Sequence, residues 1–401
     1  MRRVREPVPR TVHAQACESP GLQLTPRRIA VKARPTATSP ARWLEVPTML
    51  TSANRHSLAA ALVLCATAAI APIADACTRA VYFGKNGQTV TGRSMDWSEQ
   101  MHTNMWIFPR GLARDAGMGR GSLEWTSKFG SVVVSVYEGG SADGMNEKGL
   151  VANLLYLAES EYTPAGDGRP ALLISSWAQY MLDNFATVAD AVADASQQTY
   201  RMVTVVAPNG VAGNVHLSLS DSSGDSAILE YIGGKLVIHH GREFQVMTNS
   251  PTYDQQIALN EYWKQIGGAV MLPGTNRAAD RFARASYYIN ACNQSDDPRE
   301  AVASVFSVIR NCSVPRGVQH ATAANLSATI WRTVADQKNL TYYYEDTASP
   351  SLVWVRLAAV DFKEGSGTRK LTLVGKPELG GDQTANFDKA APFPFLAPQA
   401  K

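Results

Sequence analysis

From residue 77 onward the chain alternates apolar and polar positions in short runs broken by glycine and asparagine. Thr78 to Phe83 alternates, Gly84 to Gly87 carries turn residues, and Thr89 to Met95 alternates again, so the spacing predicts an N-terminal β-hairpin. That hairpin would set Cys77 and the run Arg93 to Asp96 on adjacent strands near one edge. Val132 to Tyr137 and Leu150 to Leu157 read as further strands, with Gly139 to Gly149 as a polar turn between them. Ala171 to Asn184 spaces Leu172, Leu173, Trp177, Tyr180 and Met181 as a helix does, and Thr187 to Ala195 reads as a second, alanine-rich helix.

Strand patterns then resume at Arg201 to Val206, His216 to Ser220, Ser226 to Tyr231, Leu236 to His240 and Gln245 to Thr248. Helices are expected over Thr252 to Trp263, Ala278 to Ala291 and Pro298 to Arg310, the last with proline placed to start it. The end returns to strands at Ser327 to Val334, Thr341 to Tyr344 and Leu352 to Leu357. Strands in blocks, helices in blocks and hairpin-length turns imply an α+β fold of antiparallel sheets covered by helices, not a doubly wound parallel sheet. With no repeat or linker after Cys77, residues 77–401 are expected to form one domain.

The front of the chain has a different character. Residues 1–48 hold nine Arg or Lys against three acids, with scattered prolines and no apolar periodicity, so they are expected to be a disordered leader or a segment upstream of a true start at Met49. Residues 49–76 read as an export signal: Arg55 and His56 as a polar front, Leu58 to Ile70 as the apolar stretch, and Ala74-Asp75-Ala76 as a small-x-small cleavage site before Cys77. Leu58 to Ile73 falls short of the roughly 20 apolar residues of a membrane span, so a periplasmic or secreted protein without a stable membrane anchor is expected.

The net charge of +3 belongs to the leader, and the remainder is near −3. No Lys/Arg stripe survives in it, which argues against nucleic acid as a partner. Cys77, Cys292 and Cys312 remain. Cys292 and Cys312 would end consecutive antiparallel helices at opposite ends of the pair, too far apart for a disulfide.

Several chemistries are absent from the pattern. There is no HExxH, no CxxC and no cluster among His102, His216, His239, His240 and His320, so neither metal nor cofactor is expected. Gly117 to Gly121 and Gly139 to Gly144 match no nucleotide-binding fingerprint, and no GxSxG elbow occurs. The position of Cys77 is what remains. A cysteine at the first residue of a processed chain carries a thiol and a free α-amine, so nucleophile and general base come in one residue. The competing reading is a non-catalytic exported binding protein or lipoprotein. Its usual leucine three residues before the cysteine is Ala74 here, and Asp75 intervenes, although Ala76 fits.

The runs Cys77-Thr78-Arg79-Ala80, Gly92-Arg93-Ser94-Met95-Asp96-Trp97, Asp143 to Leu150, Thr248-Asn249-Ser250-Pro251-Thr252, Leu272-Pro273-Gly274 and Asp280-Arg281-Phe282 together resemble the choloylglycine hydrolase family. That family contains penicillin V acylases and bile salt hydrolases. The resemblance implies the N-terminal nucleophile hydrolase fold, an αββα sandwich, and hydrolysis of a linear amide through a thioester on Cys77. It implies Arg93 beside the thiolate, Asp96 bonding the α-amino group, Asn249 as oxyanion donor and Arg281 as a site arginine. A homotetramer or other homo-oligomer acting on a small acyl amide also follows from it.

One departure bears on substrate. The position that is Asn in many bile salt hydrolases falls on Leu155, followed by Tyr156, and the interval from Asn249 to Arg281 is shorter than in Gram-positive members. Both features resemble the Gram-negative branch, which hydrolyses penicillin V and, in some cases, acyl-homoserine lactones. An apolar acyl pocket is expected, with Trp97, Trp106, Leu155 and Tyr156 as candidate lining residues. Conjugated bile salts are the alternative substrate.

Overall fold

The expected hairpin forms from β1 (Thr78–Phe83) and β2 (Thr89–Trp97), paired antiparallel with Thr78 opposite Ser94 and Arg79 opposite Arg93. In this computed structural model the described residues are 77–398, apart from 165, 167, 318–326 and 350. Residues 1–76, read above as a leader and an export signal, and His320 lie outside them.

The chain continues through β3 (Met105–Phe108), β4 (Ser131–Val136), β5 (Gly140–Asn146) and β6 (Val151–Tyr156). Helices α1 (Ile174–Asn184) and α2 (Val188–Gln197) follow, then β7 (Val215–Ser220), β8 (Ser226–Ile232), β9 (Lys235–His240) and β10 (Val246–Met247). Next come α3 (Tyr253–Ile266), α4 (Ala278–Ala291) and α5 (Pro298–Asn311), and the strands β11 (Ala328–Asp336), β12 (Thr341–Asp346) and β13 (Leu352–Arg356). Short strands β14 (Arg369–Leu371), β15 (Gly381–Asp382) and β16 (Asp388–Lys389) close the order.

One sheet has seven strands in the order β10-β1-β2-β11-β12-β13-β15, and the other has nine, β9-β8-β7-β6-β5-β4-β3-β14-β16. Helices α4 and α5 pack on β1, β2 and β11 of the first sheet; α1 covers β5 and β6 and α2 covers β8 and β9 of the second. The result is helix, sheet, sheet, helix. Alternation along each strand divides the core accordingly. Met105, Ile107, Val132, Val134, Val151 and Leu155 join one apolar cluster with Cys77, while Trp106, Phe108, Val133, Ala152 and Leu154 join the cluster beneath α1.

Two expectations are corrected, and one strand had no counterpart among them. The polar turn expected over Gly139 to Gly149 contains a central strand, β5, whose seven residues are all buried. Its polar side chains are satisfied by protein rather than water: Ser141 donates to Gln179 at 2.7 Å, and Asn146 donates to the carbonyls of Leu182 and Phe185. Gly144 lets this strand seat against its neighbours, since a Cβ there would lie 2.7 Å from the Val132 carbonyl. Met105–Phe108, an uninterrupted apolar run with no alternation to mark it, forms β3. Ala171–Leu173 is a short strand paired in parallel with Arg201–Val203, and the helix starts only at Ile174. Cys292 and Cys312 cap α4 and α5, and all three described cysteines are free.

Candidate active site

Cys77 sits immediately before β1, beside the end of β2, and is 1% exposed. Its Sγ accepts the backbone N–H of Asp96 at 3.5 Å and faces Arg93 Nη2 at 4.0 Å. Burial pushes the thiol pKa up, and the Arg93 guanidinium opposes that shift most strongly. Arg93 is itself anchored: Nη2 donates to the Leu154 carbonyl at 2.8 Å, its guanidinium lies 4.4 Å above the Trp331 ring, and Nη1 faces the Asp143 carboxylate at 3.7 Å. Asp143 accepts from Asn153 at 2.7 Å and from the Tyr342 hydroxyl. The cation beside the thiol therefore has a buried counter-ion behind it.

Asp96 is fully buried and its pKa is raised to about 6 by that burial, with Arg281 the strongest opposing influence. One carboxylate oxygen accepts the Thr329 hydroxyl at 2.5 Å, and the other has no partner among the described residues. The expectation that Asp96 bonds the nitrogen of Cys77 differs from what is seen. With residue 76 attached that nitrogen is an amide with a single hydrogen, and it donates to Asn249 Oδ1.

Asn249 follows β10. Its Oδ1 also accepts from Arg281 Nη2 at 2.9 Å, and its Nδ2 donates to the Tyr156 carbonyl at 2.7 Å, which leaves one Nδ2 hydrogen uncommitted. The loop is held from behind. His216 Nε2 donates to the Thr248 carbonyl at 2.8 Å, and the opposite ring nitrogen meets Glu230 at 2.8 Å. The second oxygen of Glu230 accepts the Tyr253 N–H at 3.0 Å, which ties the start of α3 to the same pair. Arg281, on the first turn of α4, reaches the Cys77 carbonyl and donates to Thr78 Oγ1 at 2.6 Å. Arg93, Asp96, Asn249 and Arg281, the four residues expected beside the nucleophile, thus meet around Cys77.

A cavity of about 120 Å³ opens on the thiol, and Trp97, Leu155 and Tyr156 line it. Trp106 does not. It is on the opposite face of β3, stacked on Phe108 at 6.0 Å and covered edge-on by Phe393 at 5.2 Å. Met105 and Ile107 take the inward positions of that strand, so Trp106 is a core residue of the outer layer. Sequence reasoning missed Asp143, Tyr342 and Thr329 as partners of the site. Asp143 lies in one of the matched motifs, but its strand was expected to be a turn; Thr329 carried no local signal.

Two sheets sandwiched by helices, with a cysteine at the start of a central strand, define an N-terminal nucleophile hydrolase. Residues 77–369 match the family described as linear amide C–N hydrolases, choloylglycine hydrolase family. The chain belongs to the choloylglycine hydrolase family and is a linear amide C–N hydrolase. It is 46% identical to a penicillin V acylase of Pectobacterium atrosepticum over 84% of this chain and 97% of that protein. It is 23% identical to a bile salt hydrolase/transferase of Bifidobacterium longum, over 71% of this chain and 96% of that one. Among solved structures, the penicillin V acylase of Agrobacterium tumefaciens superposes with a TM-score of 0.75 at 51% identity, covering 80% of this chain and all of that one. A conjugated bile acid hydrolase of Clostridium perfringens shares the fold, with a TM-score of 0.63 at 21% identity over 74% of this chain and 96% of that one.

Proposed function

We propose that this chain is exported, processed to begin at Cys77, and hydrolyses the side-chain amide of penicillin V through a thioester. The observation that supports it best is the pairing of a thiol at the mouth of a small apolar cavity with an unpartnered buried oxygen on Asp96. Processing converts the Cys77 nitrogen from an amide to an amine, and the added hydrogens give Asp96 the donor it lacks.

In this reading the α-amine takes the thiol proton, and Sγ attacks the acyl carbon. The carbonyl electron pair moves onto oxygen, where the uncommitted Nδ2 hydrogen of Asn249 stabilises it. As the C–N bond breaks, the α-ammonium returns its proton to the leaving nitrogen, leaving an acyl thioester and a free amine. Water, deprotonated by the same α-amine, then attacks the thioester, and the thiol is regenerated with release of the carboxylic acid. Arg93 stabilises the thiolate, and Arg281 holds Asn249 and the Cys77 carbonyl.

The cavity lining orders the substrates. Trp97 and Tyr156 in its wall favour an acyl group that carries one aromatic ring. Phenoxyacetyl amides come first, acyl-homoserine lactones second because the lining is apolar, and conjugated bile salts last. A homo-oligomer belongs to the same reading. Four large apolar side chains, Leu259, Tyr262, Val270 and Met271, are exposed within one short stretch, as an intersubunit surface requires. The test is the ratio of kcat/KM for penicillin V, an acyl-homoserine lactone and glycocholate. Penicillin V should lead, and glycocholate exceeding both others would overturn the assignment.

A further inference from the structure

The match to the family ends at residue 369, yet the wall of the cavity does not. Leu396, near the end of the chain, lines the same space as Cys77 and Leu155. It is held there by two backbone anchors. Its N–H donates to the Gly139 carbonyl at 2.6 Å, and its carbonyl accepts the Ser175 hydroxyl at 2.8 Å. The preceding aromatics fix the approach: Phe393 is edge-on to Phe108 at 5.5 Å, and Phe395 stacks on Trp125 at 6.4 Å. Gly139 completes the fit, because a Cβ there would lie 2.6 Å from Leu396 Cγ.

We propose that Leu396, delivered by this C-terminal segment, determines which acyl groups the cavity accepts. The inference rests on the reading of the cavity as the acyl site. Other close lining residues, among them Leu155, Val136 and Ala142, belong to central strands whose positions are fixed by two sheet neighbours. Leu396 is half-buried and held by the turn between β4 and β5 and by α1, so its size can change without disturbing a sheet ladder. Removing its branched end leaves space into which a longer acyl chain extends, and each additional buried methylene then strengthens binding about fourfold.

The test measures binding and hydrolysis separately on the purified protein, using the unsubstituted chain, Leu396→Ala and Leu396→Trp. Calorimetry gives the affinities for phenoxyacetate, hexanoate, octanoate and decanoate, and the corresponding acyl amides give kcat/KM. Leu396→Ala should shift the decanoate to phenoxyacetate affinity ratio upward by tenfold or more. Leu396→Trp should weaken all four acids, the longest most, with thermal unfolding unchanged. Identical ratios in the three proteins, or no binding of any acid to the unsubstituted protein, would overturn the proposal. A shifted affinity ratio without hydrolysis of phenoxyacetyl amides would leave Leu396 as the determinant and instead count against penicillin V as substrate.

Discussion

Asn249 gives one hydrogen of its side-chain amide to the Tyr156 carbonyl at 2.7 Å, while its oxygen accepts from Arg281 at 2.9 Å. The two contacts fix which way the amide faces, because Arg281 can only donate and a carbonyl can only accept. Loop and cavity wall are thereby joined at the residue that carries the free donor.

Asn249→Ala should therefore lower kcat by about a hundredfold to a thousandfold, the usual loss for one oxyanion donor, with a smaller change in KM. Steady-state kinetics beside a far-UV spectrum checks this. A variant within fivefold of the parent would remove Asn249 from the chemistry.

Asp143 stands behind Arg93 as its buried counter-ion. Asp143→Asn should keep the hydrogen-bonded shape while leaving the guanidinium uncompensated, so Arg93 favours the thiolate more strongly and the Cys77 pKa falls. The rate of iodoacetamide alkylation against pH should move its acid limb downward. Asp143→Ala, which removes the partner outright, should cost about 3–5 kcal/mol of stability as other broken buried pairs do, measured by urea unfolding. An unmoved alkylation profile in Asp143→Asn would limit Asp143 to packing.

How much of this was legible in the sequence follows from where each signal lay. Cys77, Arg93 and Asp96 share one hairpin, so short-range alternation was enough to bring them together. Asn249 and Arg281 came from motifs, since nothing local joins a post-strand loop to the first turn of α4. Trp106 was misassigned because the facing of Met105–Phe108 is set by its pairing with β4 and β14, which the four residues alone do not reveal. Asp143 was hidden by a strand built of Gly, Ser, Ala and Asp, a composition that ordinarily marks a turn. Here those small residues let β5 lie close to its neighbours and to α1. Thr329 reaches Asp96 from 233 residues away, and only the packing of β11 on β2 brings them into contact.

Asp96 also predicts a pH signature for the chain with residue 76 attached. Its folded pKa of about 6 stands above the ordinary value of 3.8, so the folded state binds the extra proton more tightly than the unfolded one. That contribution is complete below about pH 4 and is lost as the pH rises through about 6, on the order of 3 kcal/mol. After processing, the α-ammonium of Cys77 stabilises the carboxylate and the pKa falls, so the loss should shrink. Urea midpoints between pH 4 and 7 for the unprocessed and processed forms provide the comparison. Equal slopes in the two would argue that the amine does not meet Asp96.

The most direct measurement concerns Cys77 as both nucleophile and N-terminus. Acid quenching during turnover of penicillin V, followed by proteolysis and mass analysis, should find one phenoxyacetyl group on a peptide whose first residue is Cys77. Because the thioester joins Sγ to the acyl carbon, hydroxylamine should remove it and restore the free thiol. An adduct on any other residue, or full activity in a chain still carrying Ala76 before Cys77, would contradict the mechanism.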